Sequence, residues 1–347
     1  MIPRPVLASL AAALLFGAGT PLAKTLLQGT SPWLLAALLY LGSGAGLALM
    51  RLVSGAAPTR LAGAEARWLA AAIFFGGVLG PVLLMYGLSS MPASSASLLL
   101  NAEAVFTALI AWVVFRENAG ARILAGFACI VAGAIVIGWP GTLQWGGWMP
   151  AVSVLGACLA WGIDNNLTRK VSLSDASWIA MVKGLAAGAT NLVLALAVGA
   201  RWPGMQAALA AGAVGFASYG LSLTLFVIAL RGLGTARTGA YFSVAPFFGA
   251  VLAVVWLGEP VTLSLAVAGL LMAAGVALHL TERHEHQHAH EPMSHEHDHV
   301  HGAGDTHHGH RHDPPVSSGT RHSHPHEHVP LVHSHPHYPD AHHRHNH

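Results

Sequence analysis

The amino-acid sequence predicts an all-α integral membrane protein of ten transmembrane helices, arranged as two inverted five-helix repeats and followed by a disordered cytoplasmic tail. Three observations carry this. Only 9% of the residues are charged while 54% are hydrophobic, too few charges to cover a water-soluble surface. Apolar runs, each near the about 20 residues that a helix needs to cross the hydrocarbon, alternate with Gly, Pro and charge clusters. Finally, the composition breaks abruptly near residue 281: of the 24 histidines, His279 is the first, and all the others follow Glu282.

The apolar runs occupy 6–27, 32–51, 68–88, 93–115, 121–139, 149–168, 178–200, 207–230, 236–257 and 262–281. The first resembles a secretory leader, since Arg4 precedes an apolar stretch and small residues, but a repeat makes it the first helix. Lys and Arg accumulate in loops left in the cytoplasm. With the N-terminus inside, that face holds Arg4, Arg51, Arg60, Arg67, Arg116, Arg122, Arg169, Lys170, Arg231 and Arg237, and the other face has Arg201 and Lys24. An even number of crossings returns the tail to the cytoplasm, so both termini are expected there, in a bacterial-type inner membrane.

A shift of 142 residues lays LLLNAEAVFTALIAWVVFRENAG, from Leu98, over AYFSVAPFFGAVLAVVWLGEPVT, from Ala240, with Glu117 on Glu259 and Gly133 on Gly275. A shift of 145 sets LAAALLFG at Leu10 against LGACLAWG at Leu155. The repeats therefore fall at 1–140 and 141–281, with the tail at 282–347. Five helices per half is odd, so the second half enters the membrane from the opposite side. The charges agree: Arg116 precedes Glu117 on the inner face, and Gly258 takes its place before Glu259 on the outer one.

These residues resemble the drug/metabolite transporter superfamily, in its EamA-like branch of two fused five-helix domains. The segment Val244 to Leu278, with a proline after small residues, a Gly-Glu pair and a glycine-rich last helix, is similar to the repeat end of that family. In the first half Ala104 stands where the second has Pro246, so no proline kink is expected in helix 4. The resemblance covers about 1–281 and implies a transporter fold; its members carry diverse small solutes, so fold alone does not choose the cargo.

Ionisable side chains inside a membrane are costly and usually have a functional or pairing reason. Glu103, mid-helix beside Asn101, reads either as a substrate or proton site or as the partner of a buried lysine, with Lys183 as that lysine. Asp164, Asn165 and Asn166 form a polar cluster that is either part of a solute path or a polar helix end beside Arg169 and Lys170. Asn191, Tyr219 and Tyr241 are further candidates for a polar path. Glu117 and Glu259 precede helices, where a carboxylate can cap free N–H groups. The Gly76–Gly77 pair and the small residues from Gly269 to Gly275 read as close helix packing, and Cys129 and Cys158 as buried apolar residues.

In the tail, His284, His286, His288 and His290 alternate with other residues. So do His295, His297, His299 and His301, and again His322, His324, His326 and His328. Residues two apart on an extended chain share a face at roughly 6.5–7 Å. Imidazole suits Zn, Ni, Co and Cu, with oxygen donors from Glu285, Glu296, Asp298 and Glu327. Since imidazole protonates near pH 6.5, such a tail releases metal below about pH 6.

Three functions fit. One is a secondary transporter of small solutes, an exporter working by alternating access with protons as a coupling ion, whose tail binds divalent metal. Another is a Ni, Co or Zn exporter with the tail as collector, and the third is a metal-buffering or sensing membrane protein without net transport. Six acidic residues and no histidine precede His279, too few ligands for a transition-metal path, which favours the first. The dispersed basic residues exclude a nucleic-acid partner. No phosphate loop or nucleophile motif is present, so neither an enzyme nor a self-contained ATP-driven pump is read, and no cofactor is required. The expected partners are the lipid bilayer and a small-molecule or ion substrate.

Overall fold

Within lipid, a chain can satisfy its backbone N–H and C=O groups by coiling into helices, and the computed structural model is built in that way. It describes residues 4–56, 63–115, 121–139, 147–171, 175–233, 238, 241–280, 287–289, 293–300, 321–328 and 332–334. The helices follow the apolar runs in order. The first two are α1 (Arg4–Leu26) and α2 (Pro32–Val53). The third run comprises α3 (Gly63–Ala72), a π-helical turn (Ile73–Leu79) and α4 (Gly80–Ser90). The fourth is split into α5 (Ala93–Leu99) and α6 (Ala102–Phe115). Then come α7 (Ala121–Gly138), α8 (Met149–Thr168) and α9 (Ala176–Ala197). The eighth run repeats the pattern of the third, with α10 (Met205–Gly215), a π-helical turn (Phe216–Leu221) and α11 (Ser222–Leu233). The last two are α12 (Ala245–Leu257) and α13 (Leu263–Leu280).

Among the described residues, 7 stretches are long and apolar enough to cross a membrane. The helices α12 and α13 are shorter apolar segments, and α8 is diluted by Asp164, Asn165 and Asn166. Large apolar side chains cover the outside: Leu52, Val53, Val255 and Leu263 are 79%, 82%, 77% and 81% exposed, as suits a surface solvated by lipid.

Helix 4 interrupts its ladder by a different route from the proline of the second half. Helix 4 has no proline, yet it breaks at Leu100–Asn101. There the Asn101 N–H bonds to the Leu98 carbonyl and the Glu103 N–H to that of Leu100, both one residue short of α-helical spacing. The Asn101 side-chain amide also donates to Leu98 O at 2.8 Å, competing with the helical ladder as mid-helix Asn side chains do. The second half breaks at the matching place, Ser243–Val244, just before Pro246.

Helix ends are capped locally. Ser31 caps α2, with Pro32 at its first position, and Asp175 caps α9, accepting from the Trp178 N–H at 2.9 Å. Asp175 also pairs with Arg51 at 2.9 Å, tying the end of α2 to the start of α9. Burial pushes its carboxyl up, but hydrogen bonds from Ser177, Trp178 and Arg51, with the Arg51 charge, outweigh this and hold it below the usual range. A depressed carboxyl contributes stability above its unfolded pKa and loses it as pH falls through the folded one, so the link is intact at neutral pH.

Packing relies on glycine. The helix α2 lies along α9, and a Cβ on Gly184 would stand 2.8 Å from Gly44 Cα. Gly275 presses on the Gly126 carbonyl between α13 and α7. On α1, Ser9 Oγ donates to Thr238 O at 3.2 Å, while Ser222 Oγ of α11 donates to Ala12 O at 2.9 Å. These contacts join helices of opposite halves, so residues 1–282 form one unit and the boundary near 140 divides sequence repeats, not lobes.

In the tail unit, 283–347, β1 (Gln287–Ala289) pairs antiparallel with β4 (Val332–Ser334), and β2 (Met293–Val300) with β3 (Arg321–His328). A two-stranded ribbon without an apolar face is marginal in water, so this pairing lies close in energy to the solvated tail expected from composition. Arg60, Arg116, Glu117 and Arg237, and His284, His286, His290 and His301, lie outside the described residues.

Gly184→Val should abolish a monodisperse peak in detergent size-exclusion chromatography, because two backbones would have to separate. Gly269→Ala should leave the peak unchanged, since its Cβ would meet Leu98 at an ordinary 3.6 Å.

Candidate functional site

The π-helical turn sends the Gly80 N–H to Phe75 O and runs into Pro81, which has no N–H to offer the carbonyls of Gly76 and Gly77. In the turn between α3 and α4 these carbonyls are taken by side chains from three other helices. Tyr40 Oη of α2 and Trp161 Nε1 of α8 both donate to Gly76 O, at 2.8 and 2.9 Å. Asn191 Nδ2 of α9 donates to Gly77 O at 3.1 Å, and its Oδ1 accepts from Trp33 Nε1 at 3.2 Å. Asn191 is fully buried and serves this network; it does not line an open path.

Gly76 has no side chain because Asp164 occupies that space: a Cβ there would overlap the Asp164 carboxylate. Lys183 Nζ of α9 donates to both carboxylate oxygens at 2.6 Å, and Thr168 Oγ1 donates to Oδ1 at 2.9 Å. The pair is largely shielded, with side-chain exposures of 8% for Asp164 and 18% for Lys183. One sequence reading changes here. Lys183 belongs to Asp164, not to Glu103, because α9 packs on the π turn on which Asp164 rests. Asp164 stands one turn before the end of α8 at Thr168, while the Gly76 it rests on is the middle of the rod 63–90, about 20 Å from either end at 1.5 Å per residue.

Glu103 lies beside this pair, in the first turn of α6, where the helix dipole favours a negative charge. Asn165 Nδ2 donates to Glu103 Oε1 at 2.9 Å and to Thr107 Oγ1 at 3.2 Å, while Asn166 Nδ2 goes to Thr107 O and Gly162 O. Among the described residues no cation pairs with Glu103. Asn101 is turned into the packing between Leu98 O and Met272 Sδ. Cys158 is fully buried and donates to Leu99 O, and no group of three or more His, Cys, Asp or Glu that could hold a metal is found among the described residues.

From this centre aromatic rings lead into the other half. Tyr40 tilts against Tyr219 at 5.7 Å, Tyr219 meets Phe16 edge-on at 6.0 Å, and Phe16 leans on Phe242 at 5.5 Å. Tyr241 is exposed at the α12 break and outside this row. Tyr40, Trp161, Thr107 and Thr168 were missed in the sequence; Gly76–Gly77, read as packing alone, was the available signal.

A second cluster holds the turn between α4 and α5. Lys24 Nζ donates to Leu88 O, Ser89 O and Met91 O at 2.7, 3.3 and 3.0 Å. Glu259 accepts from the Ala93 and Ser94 N–H groups at 2.7 and 2.8 Å. Glu259 thus caps α5, not the helix that follows it, because Thr262 Oγ1 already takes the Leu265 N–H at the start of α13.

The model of the EamA-like transporter family matches this chain twice, at residues 4–139 and 148–281. The chain belongs to the EamA-like transporter family. An uncharacterized transporter of Methanothermobacter thermautotrophicus is 31% identical over 206 residues, 57% of this chain and 60% of that protein; the match spans less than two thirds of that relative. A crystal structure at 20% identity superposes with a TM-score of 0.60 over 80% of this chain and 96% of its own, a likeness of fold. Each of the two family matches contains one π turn and one mid-helix break.

Lys183→Met alone should cost about 3–5 kcal/mol, because it strands a buried carboxylate. Adding Asp164→Leu should recover most of that; thermal unfolding in detergent checks both. Glu259→Ala should lower stability by about 1–2 kcal/mol through the lost cap.

Proposed function

We propose that this EamA-like protein is a secondary transporter that exports small solutes from the cytoplasm of a bacterial-type cell by alternating access. Ten crossings in two inverted halves enclose the site, and both termini lie inside. The observation that carries this is the Glu103–Asp164–Lys183 centre, built at mid-depth on a π turn. Charged groups are placed at that depth for substrates, coupling ions or their counter-charges, and interrupted helices at a repeat interface are where such transporters bind. The Lys24–Glu259 cluster lies about 18 Å along α4 from Gly76. It serves as the clasp of one mouth and opens when access changes sides. Protons are the coupling ion.

The tail binds divalent Ni, Zn, Co or Cu and regulates or buffers. Support comes from its composition and from the register of β2 and β3, which sets His295 opposite His326, His297 opposite His324 and His299 opposite His322. A metal cargo is disfavoured, since the described membrane helices gather no ligand set.

The full chain and a form ending at Leu280 should be compared in cells without their own exporters, following labelled nickel and zinc beside a metabolite panel. Metal retention that depends on the tail, with metabolite efflux that does not, is the expected result. Metal efflux abolished by Glu103→Gln would instead make the metal the cargo.

A further inference from the structure

The strands of the tail keep a single register. Three residues separate β1 from β2, and three separate β3 from β4, so the pairing of His288 with His333 is in step with that of β2 with β3. Along β2 and β3 a His–His rung recurs at every second position: His295 with His326, His297 with His324, and His299 with His322. Successive residues of a strand belong to opposite faces, so these three rungs share one face of the ribbon. The rungs between them, Ser294–Glu327, Glu296–Pro325 and Asp298–Ser323, belong to the other.

Pro325 sets the phase of the ladder. It has no N–H to donate, and it fits opposite Glu296 only where the backbone N–H groups point away from the partner strand. The rungs on either side are then the hydrogen-bonded ones, with Cα atoms about 5.5 Å apart. Histidines two apart on one strand are further from each other, at roughly 6.5–7 Å, so the nearest partner of each histidine is across the ribbon and not along the chain.

The same alternation sorts the donors. Glu296, Asp298 and Glu327, expected from the sequence to supply oxygen, belong to the face opposite the His rungs, which leaves imidazole nitrogen and water. Nitrogen suits zinc, nickel and copper, whereas magnesium and calcium take oxygen. A two-stranded ribbon is marginal in water by itself, and an ion that binds only the paired state adds its binding free energy to the pairing.

We propose that the tail is a metal-closed hairpin: each of the three His rungs of β2 and β3 holds one nitrogen-preferring divalent ion between the two strands, and these ions close a ribbon that is open without them. This rests on the tail being metal-binding and goes beyond it, because a histidine-rich composition binds metal without any register.

The test uses the full-length protein in detergent, stripped with a chelator and titrated with zinc alone. Bound zinc per chain is counted after gel filtration, and amide hydrogen exchange is followed along the tail. Zinc should slow exchange in 293–300 and 321–328 together, and magnesium should not. Two double variants remove the same number of histidines, one from each strand. His295→Ala with His326→Ala empties a single rung and should lose one ion, as either single variant does. His295→Ala with His322→Ala spoils two rungs and should lose two. Equal losses from the two doubles, protection by magnesium equal to that by zinc, or zinc bound without protection of both strands would overturn the hairpin and spare the metal-binding tail. No more zinc on the full chain than on a form ending at Leu280 would refute both.

Discussion

The contact between Asp164 and Gly76 is the constraint around which the rest of the membrane unit is arranged. A carboxylate in that position must bring its own counter-charge, which Lys183 supplies from α9. It also needs a backbone that can come close, which only a residue without Cβ allows. The π turn that contains Gly76 then exposes carbonyls, and Tyr40, Trp161 and Asn191 are drawn in to satisfy them. Three helices are thereby fixed around one stretch of backbone by polar contacts in a medium that rewards such contacts because it offers no alternative. The apolar seams do the rest with small residues, where proximity rather than hydrophobic burial holds helices together.

How much of this was legible follows from what each signal depends on. The helices were readable because lipid imposes length and apolarity on the sequence itself, and the repeat because the two halves keep Glu and Gly at a constant offset. The π turns were not readable: IFFGGVL and FASYGL look like ordinary apolar helix, and their extra residue shows only in the hydrogen-bond ladder. The break before Glu103 was concealed for a similar reason, since Asn101 performs by side-chain bonding what Pro246 performs by lacking an N–H.

Partner choice was the weakest part of the sequence reading. Lys183 is as available in sequence to Glu103 as to Asp164, and only the packing of α9 on the π turn decides. Glu259 was recognised as a capping carboxylate, but the helix it caps lies 166 residues away. Thr262 had occupied the local position, a signal present in the sequence and passed over. Asn191 shows the converse: a polar residue in a membrane helix that answers a backbone need and has no role at the open centre.

The paired π turns also determine how the chain tolerates changes in length. Each contains one residue more than an α-helical ladder accommodates, so the helix beyond it is rotated by about 100° relative to a continuous α-helix. Removing a single residue elsewhere in a tightly packed rod would re-phase everything downstream and turn its core face outward. Inside 73–79 or 216–221 the same deletion would relax the backbone into regular helix and leave the residues of α4 or α11 facing as they do now. Evolutionary insertions and deletions within the membrane unit should therefore gather at these two short windows, where phase is stored one residue at a time.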